Sequence, residues 1–154
     1  MDPNLLKNIL HSYHIRITDT RLQVLDVLLH SKSALCHHEI AAALKQYQID
    51  KVTIYRTLDV FEKKELIHKI ATKDRNWQYA IRLKKGKPTE ADHAHAHFVC
   101  NRCGRIFCLP VAGYNQQPDE DMINGFRIME KELRFHGLCP DCASSSKPKN
   151  RNDE

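Results

Sequence analysis

The sequence predicts an α+β chain in two parts, a helical first part closed by a β-hairpin and a second part built mainly of strands. Three observations carry that reading. Apolar residues recur at helical spacing in four separate segments up to Phe61. Two strand-like runs then flank a turn-rich tetrapeptide. Beyond them lie two C-x-x-C pairs, Cys100–Cys103 and Cys139–Cys142.

Leu5, Leu6, Ile9 and Leu10 form one face of a short amphipathic helix. Thr18 is placed to N-cap a second, whose Leu22, Leu25, Leu28 and Leu29 keep helical spacing. A third covers roughly His37 to Tyr47 with Ile40, Ala43 and Leu44 inward. Asp50 is the expected N-cap of a fourth, which buries Ile54, Leu58 and Phe61. Leu66–Ile70 and Trp77–Ile81 read as strands around the turn Lys73-Asp74-Arg75-Asn76. Helices followed by a hairpin make a winged helix-turn-helix, in which a helix enters the major groove and the hairpin lies against the backbone. The fourth helix is expected to expose Lys51, Thr53, Tyr55, Arg56 and Thr57 near its start, donors suited to phosphates and base edges.

Lys84-Lys85-Gly86-Lys87-Pro88-Thr89-Glu90 is charged and carries Gly and Pro, which suits a linker. The expected division is therefore 1–83 for the DNA-binding domain, 84–92 for the hinge, 93–143 for a metal-binding domain and 144–154 for a disordered tail. In the metal-binding part His97–Val99 and Arg105–Leu109 read as strands. A short helix is expected within Asp119 to Asn124, and a long strand from Phe126 to Phe135.

The cysteines carry the chemistry. Two C-x-x-C turns each let two sulfurs approach one ion from one side, so Cys100, Cys103, Cys139 and Cys142 suit a tetrahedral Zn²⁺. Two disulfides, or four unrelated core cysteines, are the competing reading. The chain has no apolar run long enough to cross a bilayer and begins without the basic and apolar regions of a secretory signal. A cytoplasmic, reducing location is expected, where paired cysteines bind metal more often than they form disulfides. The formal charge of +5 is compatible with nucleic acid without being diagnostic of it.

Val52-Thr53-Ile54-Tyr55-Arg56-Thr57-Leu58, Arg16-Ile17-Thr18 with Arg21, His95-Ala96-His97-Phe98-Val99-Cys100-Asn101-Arg102-Cys103-Gly104, and Phe135-His136-Gly137-Leu138-Cys139-Pro140-Asp141-Cys142 together resemble the ferric uptake regulator family, from about residue 5 to 143. The resemblance implies a homodimeric, metal-dependent repressor that binds operator DNA, with a winged helix followed by a small α/β dimerisation domain. It matches Cys100, Cys103, Cys139 and Cys142 to a structural zinc, Tyr55 and Arg56 to a DNA-contacting pair, and Arg16 to a basic residue that reaches DNA. Thr18 and Arg21 resemble the family's T-P-x-R helix start, but Asp19 and Thr20 stand where the family has Pro and Gln. Asp19 favours the helix dipole and would repel phosphate.

The resemblance also implies regulatory metal sites. At one of them this chain has Ala94, Ala96, Asn115 or Gln116, and Lys131 where ligands are usual, so that site is expected to be absent. The other uses alternating histidines, matched here by His95 and His97, and a carboxylate, in whose place this chain has Cys108; His93 falls in the same period. A donor from the DNA-binding domain is expected among Cys36, His37, His38 and His68. Thiolate with imidazole suits Zn²⁺ better than Fe²⁺ or Mn²⁺, so a zinc uptake regulator is the specific expectation, with an iron-, manganese- or peroxide-responsive regulator as the alternative. Buried core packing is the other reading of Cys108. No membrane or small-molecule substrate is expected as a partner. A zinc deaminase is disfavoured: His37-His38-Glu39 supplies the H-x-E half of its signature, but Leu138 stands where Pro should precede Cys139, Pro140 falls inside the knuckle, and four thiolates leave no open position for water.

Overall fold

The computed structural model describes residues 3–72, 76–82, 95–110, 122–123, 126–127 and 132–145. Its contacts divide the chain into two compact units, Met1–Leu83 and Lys84–Glu154. The expected hinge and His93 lie outside the described residues, as do Ala94, Asn115, Gln116, Lys131 and most of the expected tail.

The first unit begins with α1 (Pro3–Ser12), which buries Leu6 and Leu10. Leu5, expected inward, is exposed. In α2 (Asp19–His30) the Thr18 side chain accepts from the Arg21 N–H, supplying the expected cap. This helix buries Val24, Leu25 and Leu28. β1 (Leu35–Cys36) follows, then α3 (His37–Ala43) and a 3₁₀ turn at Lys45–Tyr47. The third helix is thus shorter than the sequence suggested, and Ala43 faces solvent. Asp50 caps α4 (Lys51–Lys63) through the Thr53 N–H at 2.9 Å.

Packed among these helices are Leu25, Ile40, Leu44, Ile54, Leu58 and Phe61, all essentially inaccessible. Phe61 is the largest of them, so Phe61→Ala is expected to destabilise this unit by about 3–5 kcal/mol. A thermal or urea melt followed by helical circular dichroism measures it.

α4 stops where Glu65 takes a left-handed conformation, φ 57°. The Leu66 N–H then reaches the Phe61 carbonyl at 2.9 Å and the Glu65 N–H reaches that of Glu62 at 2.8 Å. That pattern ends the helix and turns the chain into the wing. β2 (Ile67–Ala71) pairs antiparallel with β3 (Trp77–Ile81), and β3 also pairs with β1. The sheet order is β1-β3-β2. β1 was missed in the sequence because two residues are too few to show a period.

In the second unit β4 (His95–Cys100) is flanked by β5 (Ile106–Pro110), antiparallel, and β8 (Arg134–Gly137), parallel. β6 (Met122–Ile123) and β7 (Phe126–Arg127) make a separate antiparallel pair. Two expectations change here. Met122 and Ile123 are strand, not helix. The described ends of the expected long strand, Phe126–Arg127 and Arg134–Gly137, belong to different sheets. α5 (Pro140–Ser144) closes the description and takes in Ser144, the first residue of the expected tail.

Candidate metal centre and DNA-binding face

The two knuckles meet because β4 and β8 run side by side with Cys100 opposite Gly137. The first knuckle turns at Gly104, φ 66°, whose N–H returns to the Cys100 carbonyl at 2.8 Å. A left-handed residue there favours glycine. The second knuckle is the N-terminus of α5, with Pro140 at the helix start, where a missing N–H costs nothing.

All four sulfurs lie within 4.8 Å of one another and all four residues are buried. None of the six cysteines forms a disulfide. The Cys103 and Cys139 sulfurs are 3.8 Å apart. A disulfide bond is about 2.05 Å long, whereas a tetrahedron with metal–sulfur bonds of about 2.3 Å has edges of about 3.8 Å. That pair therefore stands at coordination spacing, with the other sulfurs close by.

Electrostatics points the same way. Burial alone would raise the Cys100 thiol, but backbone N–H groups from both knuckles outweigh it and pull its pKa below the ordinary thiol value. Burial and the neighbouring sulfurs push Cys142 up. Four sulfurs so close share one titration, and a cation is needed to ionise them together. Donors already converge on them: the Cys139 N–H to the Cys100 sulfur at 3.4 Å, and Arg105 Nε to the Cys103 sulfur at 3.4 Å. Arg105 is held in turn by Asp141 at 2.9 Å. Arg102 straps the second knuckle through the Cys142 and Ser145 carbonyls.

A second pair of donors lies on the same sheet. His97 on β4 is directly opposite Cys108 on β5, and directly paired residues project from one face. His97 Nδ1 lies 2.8 Å from Glu132 Oε1. The carboxylate accepts, so Nδ1 carries the proton and Nε2 is the ring nitrogen that bears the lone pair. Glu132 also accepts from Arg134 Nη2 at 2.6 Å. Although burial opposes it, these two partners hold the Glu132 carboxyl below its ordinary pKa. Burial pushes the Cys108 thiol up to about 11. His95 belongs to β4, while His93 is outside the described residues. Ala96 is fully buried and offers no donor.

Sequence reasoning missed Glu132. Its only signal was an acidic residue two places before the strand residue Arg134, and the pairing of that strand with β4 was not legible.

In the first unit, Lys51, Tyr55 and Arg56 are exposed on α4, as is Val52. Two expected contacts change. Thr57 is buried, because position 57 falls on the inward face beside Ile54 and Leu58. The Thr53 hydroxyl donates to Asp50 at 2.5 Å, so its proton serves the helix cap. Arg16 is exposed, and its carbonyl accepts from Arg21 Nη1 at 2.7 Å. Arg21 thus braces the loop that carries Arg16. Cys36 caps α3, with its N–H bonded to Glu39 at 2.7 Å. His37 stacks on Tyr55 with ring centroids 3.5 Å apart, while His38 is exposed. His68 lies on β2 opposite Ala80.

The comparisons with known proteins agree with this anatomy. The sequence profile of the Ferric uptake regulator family matches residues 12–142. The chain is 29% identical to the ferric uptake regulation protein of Bacillus subtilis, over 89% of this chain and 91% of that protein. It is 30% identical to the ferric uptake regulation protein of Neisseria meningitidis serogroup A, over 86% of this chain and 90% of that one. Among solved structures it resembles a zinc uptake regulator complexed with zinc and DNA, at TM-score 0.64 and 25% identity, covering 93% of this chain and 96% of the other. The Helicobacter pylori ferric uptake regulator shares the fold at TM-score 0.60 and 19% identity, covering 92% and 96% of the two chains. The chain belongs to the ferric uptake regulator family and is a metal-responsive transcription regulator, not an enzyme.

Proposed function

We propose that the regulated signal is zinc, and that the protein acts in the cytoplasm as a zinc-dependent repressor of metal-homeostasis genes. The observation that carries this reading is the placement of Cys108 directly opposite His97. A thiolate and an imidazole form a soft-to-borderline donor pair, which suits Zn²⁺ better than Fe²⁺ or Mn²⁺. Cys100, Cys103, Cys139 and Cys142 hold a separate, permanent Zn²⁺. Four thiolates close its coordination sphere, so that ion is structural.

The regulatory ion is assigned to His97 Nε2 and Cys108, with His93 and His95 as further donors from the same strand period. Glu132 fixes the His97 tautomer, as carboxylates do for metal-bound histidines. A donor from the DNA-binding unit couples the ion to the operator; His68 is assigned to it, since His37 is committed to Tyr55 and the Lys51 carbonyl. Lys51, Tyr55 and Arg56 are assigned to the DNA, with Arg16 reaching it from the loop that Arg21 and the Thr18 cap hold. Bound metal then selects the arrangement of the two winged helices of a dimer that fits two half-sites.

Glu132 supports an alternative, an iron- or manganese-responsive regulator, because it puts a carboxylate beside His97. It is already committed to His97 and Arg134, however, and that weakens it as a ligand.

The pH dependence follows from Cys108. Its thiol is protonated at neutral pH without metal, since burial raises its pKa to about 11. A metal ion must therefore displace that proton, and affinity for the exchangeable ion should rise by up to about tenfold per pH unit below the thiol pKa. Competition with a chromophoric chelator between pH 6 and 8 measures it. Cys108→Ser should flatten the profile and weaken the exchangeable site, leaving the four-cysteine ion in place. An unchanged affinity and slope in that variant would remove Cys108 from the site.

A further inference from the structure

Tyr55 is 52% exposed on the outer face of α4, yet its ring has a defined support. The His37 imidazole lies beneath it, with centroids 3.5 Å apart and planes 11° from parallel. His37 is itself anchored. Its Nε2 lies 3.2 Å from the Lys51 carbonyl, and a carbonyl only accepts, so Nε2 carries the proton. That carbonyl is the acceptor which the α-helical pattern pairs with the Tyr55 N–H. One imidazole thus grips the first turn of α4 and supports the side chain that projects above it.

Burial holds the His37 pKa below its ordinary value. The ring is accordingly neutral at neutral pH, with its proton on Nε2. The same residues line one wall of a cleft of about 380 Å³, whose other wall is Asn76 and Trp77 of the wing. The stack therefore sits where the recognition helix and the wing converge.

We propose that His37 is a positioning residue for DNA recognition, a fixed aromatic platform that presents the Tyr55 phenol to the operator in one orientation. The proposal rests on the reading of α4 as the recognition helix. A helical tyrosine has two accessible χ1 wells, and a solvent-exposed one would otherwise lose that freedom when DNA binds. The platform removes this cost beforehand. It also occupies the ring as a structural part of the DNA-binding face, so His37 is not needed as a regulatory metal ligand.

The test uses the full-length zinc-loaded protein. The wild type selects its own duplex from a random-sequence pool, and a scrambled duplex serves as the nonspecific reference. Affinities for both are measured for His37→Ala, His37→Gln, His37→Phe, Tyr55→Ala and the Tyr55→Ala/His37→Ala double variant. Aromatic stacking of this kind predicts a loss of about three- to tenfold on the selected site for His37→Ala and His37→Gln, little loss on the scrambled one, and recovery in His37→Phe. The double variant should bind no worse than Tyr55→Ala alone. Tyr55 ring proton resonances, shifted upfield by the stacked imidazole, should move downfield in His37→Ala and stay shifted in His37→Phe.

Equal losses on both duplexes, full additivity with Tyr55→Ala, or loss of one metal equivalent in His37→Ala would each overturn the proposal while leaving the recognition helix intact. Wild-type affinity in Tyr55→Ala would overturn the recognition-helix reading and this proposal with it.

Discussion

Cys139→Ser is expected to empty the four-cysteine site and unfold the second unit, leaving the first unit folded. The reason is what that unit buries. Among the described residues its buried cluster consists of Cys100, Cys103, Cys139 and Cys142, with Phe98 and Phe107 packed against it. The metal site is thus the centre of the core, not an addition to one. Structural zinc contributes on the order of 10–16 kcal/mol in small zinc-binding peptides at neutral pH, comparable to the whole stability of an ordinary domain. A hydroxyl in place of Cys139 removes one thiolate and leaves three buried sulfurs crowded without their ion. Zinc released under denaturing conditions should fall by one equivalent per chain. Resonances of β4, β5 and β8 should collapse while those of α1–α4 persist. A variant that kept its zinc and its second-unit spectrum would show that the cysteines are core residues, not ligands.

Arg56→Ala is expected to weaken binding to the selected operator by about thirtyfold or more. Arg56 is exposed one position after Tyr55 on the outer face of α4, and an arginine contact with a base edge is worth about 1–3 kcal/mol. The dimer carries two such contacts, so the loss applies twice. Fluorescence anisotropy on specific and scrambled duplexes over a salt series separates the two contact types. Loss confined to the specific duplex means base readout; equal loss with a shallower salt slope means phosphate. Thr57→Ala is the control, since Thr57 is buried and the change should alter melting more than affinity. Unchanged affinity in Arg56→Ala would move the recognition surface away from α4.

The parts legible in the sequence were those with a local cause. Thr18 and Asp50 act as helix caps because a side-chain oxygen meets an N–H three residues on, a relation written entirely within the chain. The C-x-x-C pairs were legible for the same reason. Parts that depend on which strands become neighbours were not. Glu132 reaches His97 only because β8 runs parallel to β4, and the His37–Tyr55 stack depends on how α3 meets α4. Thr57 was misplaced because its polarity suggested exposure while its phase on α4 put it inward. The expected helix at 119–124 failed because Met122–Ile123 is a two-residue strand, too short to show alternation.

In the proposed regulation, zinc controls operator binding through the donor set built on His97 and Cys108. The most direct measurement is operator binding titrated with Zn²⁺, Fe²⁺ and Mn²⁺ side by side under anaerobic conditions, using protein that retains only its four-cysteine metal. Zn²⁺ should promote binding at the lowest free concentration, and His97→Ala should abolish that response without loss of the retained metal. Binding promoted by Fe²⁺ or Mn²⁺ but not by Zn²⁺, or a zinc response unaltered in His97→Ala, would contradict it.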